Sequence, residues 1–138
     1  MTRTIESLSE RDTIEAGRAL GSELHLGDVV LLSGPLGAGK TAFVRGLAQG
    51  VAADPDDVSS PTFTILQEYR GAATLQHADL YRLAPAEVDD LGLEELLSDA
   101  ILAVEWPDRW QAAPAEAIQV TIEAEPGDRR TITIYSTR

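Results

Sequence analysis

The chain has 138 residues, 43% hydrophobic and 25% charged, with no cysteine and a net charge of −12. That length suits one domain with a single substantial core; no apolar run approaches the ~20 residues of a membrane span, and the lack of thiols excludes disulfides and thiolate-held metals. The acidity argues against autonomous nucleic-acid binding, which needs a basic surface, and His25 and His77 are too few for a histidine-based metal centre. The first residues, "MTRTIESLSERD", lack the basic-then-apolar form of a secretory leader, so a cytoplasmic location is expected.

In chain order, Ser9 to Leu24 reads as an amphipathic helix, with Ser9 as its cap and Ile14, Ala16, Leu20 and Leu24 near helical spacing. "DVVLLS" (Asp28 to Ser33) reads as a buried strand running into "GPLGAGKT", and "TAFVRGLAQGV" continues as a helix ended by Gly50 and the turn "ADPDD". "TFTILQEY" and "ATLQHADLY" form a hairpin around Arg70-Gly71. Pro85 to Ser98 carries a helical pattern, and "AILAVEW" is a second buried strand. "AIQVTIEAE" and "RTITIYS" alternate around Pro126-Gly127-Asp128 as a terminal antiparallel hairpin. The expected fold is α/β, a P-loop NTPase-like mixed sheet flanked by helices, with that hairpin at its C-terminal end. No repeat or linker divides residues 1–138, which read as one domain.

Strand, G-x-x-x-x-G-K-T and helix together make a P-loop context. Glycines at 34, 37 and 39 allow backbone N–H groups to converge on phosphate oxygens, and the following helix N-terminus adds partial positive charge. Lys40 is the sole lysine of the chain, and its expected place is against the β- and γ-phosphates, with the Thr41 hydroxyl on Mg²⁺. A carboxylate at a strand end should complete the metal site, and two are candidates. Glu105 follows the apolar "ILAV", and Asp79 follows the more polar "LQHA"; one can act directly and the other through water. His77, two positions before Asp79, is placed either to orient that carboxylate or to serve as a core histidine. Guanine-reading P-loop proteins use a second lysine that this chain lacks, so the default base is adenine and the expected cofactors are ATP and Mg²⁺. In "SSPTFTI", Pro61 stiffens a strand entry that presents Thr62 and Thr64, either as a γ-phosphate sensor or as an ordinary loop-to-strand junction. Trp106 is placed to cover the nucleotide, meet a partner, or fill the core.

The motifs "GPLGAGKT", "SSPTFTI", "HADLYRL" and "VEWPDRW", in that order across nearly the whole chain, resemble the TsaE (YjeE) family. The resemblance implies a single ATPase domain with weak intrinsic turnover. It implies joint action with TsaD and TsaB in threonylcarbamoylating the adenosine beside the anticodon of tRNAs that read codons starting with A. It places Gly37, Ala38, Gly39, Lys40, Thr41 and Ala42 on the phosphates, and Thr41 and Glu105 on magnesium. Lys40, Asp79 and Glu105 then carry the chemistry, Thr62 falls in a switch-like segment, and residues near Thr13 lie close to the adenine. Arg130 is left without a fixed place. Ala78 departs from the family, where relatives often carry an aromatic residue. The expected protein is a monomer or weakly self-associating, without stable tRNA binding alone and without a membrane anchor. Two rival readings are a shikimate-kinase-like small-molecule kinase, which needs paired arginines over the phosphates, and a nucleotide-gated binding protein without meaningful turnover.

Overall fold

The two apolar runs take the centre of the sheet. In the computed structural model, which describes residues 1–52 and 65–137, β2 (Val29–Ser33) and β5 (Ile101–Glu105) pair in parallel, with Leu32 beside Glu105. Side chains of a strand alternate between faces, so Val30, Leu32, Ile101 and Ala103 enter one core while Val29, Leu31, Leu102 and Val104 enter a second on the opposite face. Burial on both faces is why these strands are continuously apolar.

Five further strands complete the sheet. β6 (Ile118–Ala124) joins β2 in parallel and β4 (Leu75–Asp79) joins β5 in parallel. β7 (Arg130–Tyr135) lies antiparallel on β6, β1 (Thr2–Ser7) antiparallel on β7, and β3 (Leu66–Tyr69) antiparallel on β4. The order is β1-β7-β6-β2-β5-β4-β3. The mixed sheet and both expected hairpins are therefore present. β1 is an element that the sequence did not announce: of its six residues only Ser7 is buried and Ile5 half-buried, so apolar alternation is almost missing.

Helices cover both faces. α1 (Glu10–Gly21) starts at Ser9, whose Oγ accepts the Asp12 amide at 3.1 Å, and α2 (Lys40–Gly50) follows the glycine-rich loop; both pack on the first core. The second face carries α3 (Pro85–Asp89), a 3₁₀ turn at Leu93–Ser98 and another at Pro107–Arg109. The helix expected over Pro85 to Ser98 is thus divided. Gly92 turns left-handed at φ 66°, ψ 41°, which ends one helical run and starts the next. Trp110 closes this core, its indole N–H donating to Glu94 at 3.2 Å. Ala78 is fully buried there. Among the described residues no helix is long and apolar enough to cross a membrane.

α1 and α2 meet backbone to backbone. A Cβ on Gly46 would lie 2.0 Å from the Ile14 carbonyl oxygen, and one on Gly17 would lie 2.2 Å from the Phe43 carbonyl oxygen. Helix propensity alone favours Gly46→Ala by up to ~1 kcal/mol. The contact reverses the sign, because backbone at that distance must separate. Gly46→Ala is expected to lose about 1–3 kcal/mol, lowering Tm by roughly 4–12 °C in thermal denaturation; a raised Tm would show that the helices part freely.

Candidate functional site

The glycine-rich loop leaves the C-terminal end of β2, the edge at which parallel sheets bind ligands. Gly39, at φ 108° and ψ 18°, turns the chain into α2, and no side chain of the described residues caps that helix. Its first-turn N–H groups stay open toward the loop's concavity. Lys40 is buried at 5% exposure; its Nζ donates to the Gly34 carbonyl at 2.7 Å and lies 3.9 Å from the centroid of the Trp106 ring. Burial pushes the Lys40 ammonium below its ordinary range, while Glu105 and then Asp79 pull it back up.

The two carboxylates arrive by strand pairing. Asp79 ends β4, Glu105 ends β5, and the two residues are register partners. The Asp79 carboxyl is raised above its usual range by burial first; the Tyr81 amide, donating to its Oδ1 at 3.0 Å, acts against this, Glu105 adds to it, and His77 and Lys40 oppose it. Glu105 is 4% exposed, and its Oε2 is 2.6 Å from Nε2 of the fully buried His77. His77 therefore engages Glu105 and not Asp79, against one of the two sequence readings. The reason is geometric: His77 and Asp79 point the same way from one strand, and the neighbouring strand supplies the facing carboxylate. Trp106 follows Glu105 in a left-handed conformation, φ 60° and ψ 54°, a strained state for a residue with a Cβ. Its ring lies over Lys40 and 4.9 Å from that of Tyr81.

These groups line one cleft of about 390 Å³, with Gly37, Gly39, Lys40, Thr41, Ala42, Asp79, Glu105 and Trp106 on its walls. Arg45 lines it too, 3.3 Å from Glu10 of α1. A second cleft of about 200 Å³ shares Gly37, Gly39 and Ala42 and adds Thr13, Ala38, Asp128 and Arg130. Thr13 is buried, its hydroxyl 2.7 Å from Ser7 Oγ, and its methyl faces Gly39. Arg130 is the first residue of β7, and its Nε donates to the Ala38 carbonyl at 3.0 Å, across 92 positions of chain. Arg130 thereby ties the β6–β7 turn to the loop. Arg129 pairs with Glu6 and Arg130 with the Ala38 carbonyl, so both arginines of this adjacent pair are engaged within the chain. Thr62 and Thr64 lie outside the described residues.

The donors suit a magnesium polyphosphate. Thr41 hydroxyl and two carboxylates are hard oxygen ligands. Among the described residues no group of three or more His, Cys, Asp or Glu is placed to hold a metal. Sequence reasoning missed the Arg45–Glu10 pair, the Arg130 tie and the true partner of His77. None of the three left a local signal; the two-residue spacing of His77 from Asp79 pointed to the other carboxylate.

The family profile described as "Threonylcarbamoyl adenosine biosynthesis protein TsaE" matches residues 7–132. The chain is 38% identical over 131 residues to the tRNA threonylcarbamoyladenosine biosynthesis protein TsaE of Treponema pallidum (strain Nichols), covering 93% of this chain and 96% of the relative. It is 42% identical over 120 residues to the protein of that name from Nostoc sp., covering 82% and 73%. The crystal structure of Bacillus subtilis YdiB superposes with a TM-score of 0.82 at 30% identity, covering all of this chain and 87% of that one. A likeness that runs from β1 to β7 takes in both clefts, and with it this chain belongs to the TsaE family of tRNA threonylcarbamoyladenosine biosynthesis proteins.

Proposed function

We propose that the chain binds ATP with Mg²⁺ in the paired clefts, hydrolyses it slowly, and serves threonylcarbamoyl transfer to tRNA together with TsaD and TsaB. The observation that carries this reading is Lys40, a desolvated ammonium at a helix start, facing two carboxylates across a cleft. Burying a cation is costly unless it is paired, and a polyphosphate would supply the counter-charge that Gly34 and the Trp106 ring only partly replace. The open N–H groups of α2 and the loop would hold α- and β-phosphate oxygens. Thr41 and Glu105 would hold the ion, with Asp79 ordering its water; magnesium there neutralises charge on the β- and γ-phosphates. Thr13, Ala38 and Arg130 frame the neighbouring cleft, which has the position and size for the base.

The same geometry supports slow turnover. Arg45, the one arginine among the described residues lining the phosphate cleft, is paired with Glu10. An arginine finger is worth roughly 10³–10⁵ in rate, so stimulation by a partner is the natural complement.

Lys40→Ala should cut ATP hydrolysis by about 10²-fold or more, with an unchanged circular dichroism spectrum; undiminished turnover in the folded variant would refute the phosphate site. Glu105→Ala should weaken the magnesium-dependent step more than nucleotide binding, since backbone groups still hold the phosphates. Magnesium titrations that find Asp79→Ala crippled and Glu105→Ala normal would reverse the roles of the two carboxylates. In steady-state assays the protein should prefer ATP to GTP and be accelerated by TsaD–TsaB but not by tRNA alone. Stimulation by tRNA without partners would indicate direct action on RNA, and no turnover under any condition would leave a nucleotide-gated binding protein.

A further inference from the structure

His77 is fully buried, in the middle of β4, between Gln67 of β3 and Ala103 of β5 in register. A core histidine ordinarily settles its polar atoms on backbone groups. Here Nε2 meets a carboxylate oxygen of the cleft at 2.6 Å, and among the described residues Nδ1 has no partner. The two contacts favour one of the two tautomers. With the proton on Nδ1, a buried N–H would be orphaned and the Nε2 lone pair would face the Glu105 oxygen. With it on Nε2, the short contact is a charge-assisted hydrogen bond and only a lone pair is left over, the cheaper defect.

We propose that His77 is a positioning residue for Glu105, its Nε2–H holding Oε2 so that Oε1 remains directed to the cleft. The inference rests on the magnesium-nucleotide reading and deepens it. A glutamate side chain at a strand end has three torsions. The imidazole, itself locked by the sheet, removes most of that freedom at no cost in cleft volume. A neighbour that orients a ligand in this way commonly sets metal affinity by 10–100-fold.

The test is nucleotide affinity of the full chain, measured by calorimetry with ADP and ATP, with and without Mg²⁺. His77→Phe keeps the ring volume and removes the donor. His77→Gln puts an amide N–H near the position of Nε2, and His77→Asn puts it near Nδ1. The expected result is that His77→Phe and His77→Asn raise the magnesium concentration at half-saturation by about 10-fold or more, with magnesium-free affinity within about 2-fold of wild type, and that His77→Gln recovers most of the loss. Unchanged magnesium dependence in His77→Phe, or equal losses in the Phe and Gln variants, would overturn the positioning role while leaving the nucleotide site standing. A wild-type protein whose nucleotide affinity ignores magnesium would overturn the underlying reading as well. A readout free of metal and of variant folding is ¹⁵N NMR of the nucleotide-free wild-type protein, which has only two histidines. His77 should show a protonated, exchange-protected Nε2 and an unprotonated Nδ1; the opposite tautomer would overturn the proposal directly.

Discussion

Two parallel ladders, β2 on β5 and β5 on β4, determine what the site is. They set Leu32 beside Glu105 and Glu105 beside Asp79, at the strand ends from which the glycine-rich loop departs. The side-chain period of a strand is two, so a slip of one residue would turn both carboxylates and His77 to the far face. The four-residue apolar runs that precede Ser33 and Glu105 prevent that slip, because each residue already belongs to one of the two cores. Hydrophobic patterning thereby fixes the register, and the register fixes the electrostatics. Burial disfavours the charged forms of Lys40 and of Asp79, as the lowering of one and the raising of the other show. The cluster is sustained because each has a specific partner: Gly34 and Trp106 for the lysine, His77 for Glu105, the Tyr81 amide for Asp79.

The loop is braced from three directions, and the helical glycines belong to that bracing although they touch none of the site. By letting α1 lie directly against α2, Gly17 and Gly46 bring the start of α1 up to the loop, where the Thr13 methyl packs on Gly39 and Glu10 meets Arg45. β2 holds the loop from below. Arg130 holds it from the side through Ala38. Trp106 provides a roof over Lys40. Its left-handed backbone is held by a ring wedged between Lys40 and Tyr81, contacts worth about 0.5–2 kcal/mol for the cation–π part, against roughly 1–3 kcal/mol of backbone strain.

What the sequence revealed and what it concealed divide along physical lines. The centre of the sheet, both hairpins, the Ser9 cap and the loop-helix junction were readable because each depends on local pattern: an apolar run, an alternation, a cap residue, a glycine spacing. β1 was not, because an edge strand with one buried side chain has no pattern to show. The division of the Pro85 to Ser98 helix turned on the backbone of Gly92, a residue whose conformational choice leaves no mark on neighbouring side chains. Lys40, Thr41, Asp79 and Glu105 were nameable as site residues from motif and strand-end position. The partner of His77 depended on the pairing of β4 with β5, and the role of Arg130 on a contact across most of the chain; neither follows from local spacing.

The charge balance connects this architecture to the work of the family. A net charge of −12 would repel an approaching polyphosphate at long range, so the binding proposed above would have to draw on groups that act only at contact: uncapped N–H groups, one buried ammonium, and a hydroxyl. Such a site needs no basic surface around it. The same negative charge disfavours direct contact with the phosphates of a tRNA. Lys40 is the chain's single ammonium side chain, set inside the glycine-rich loop, while arginines such as Arg130, Arg129 and Arg109 tie, pair and brace.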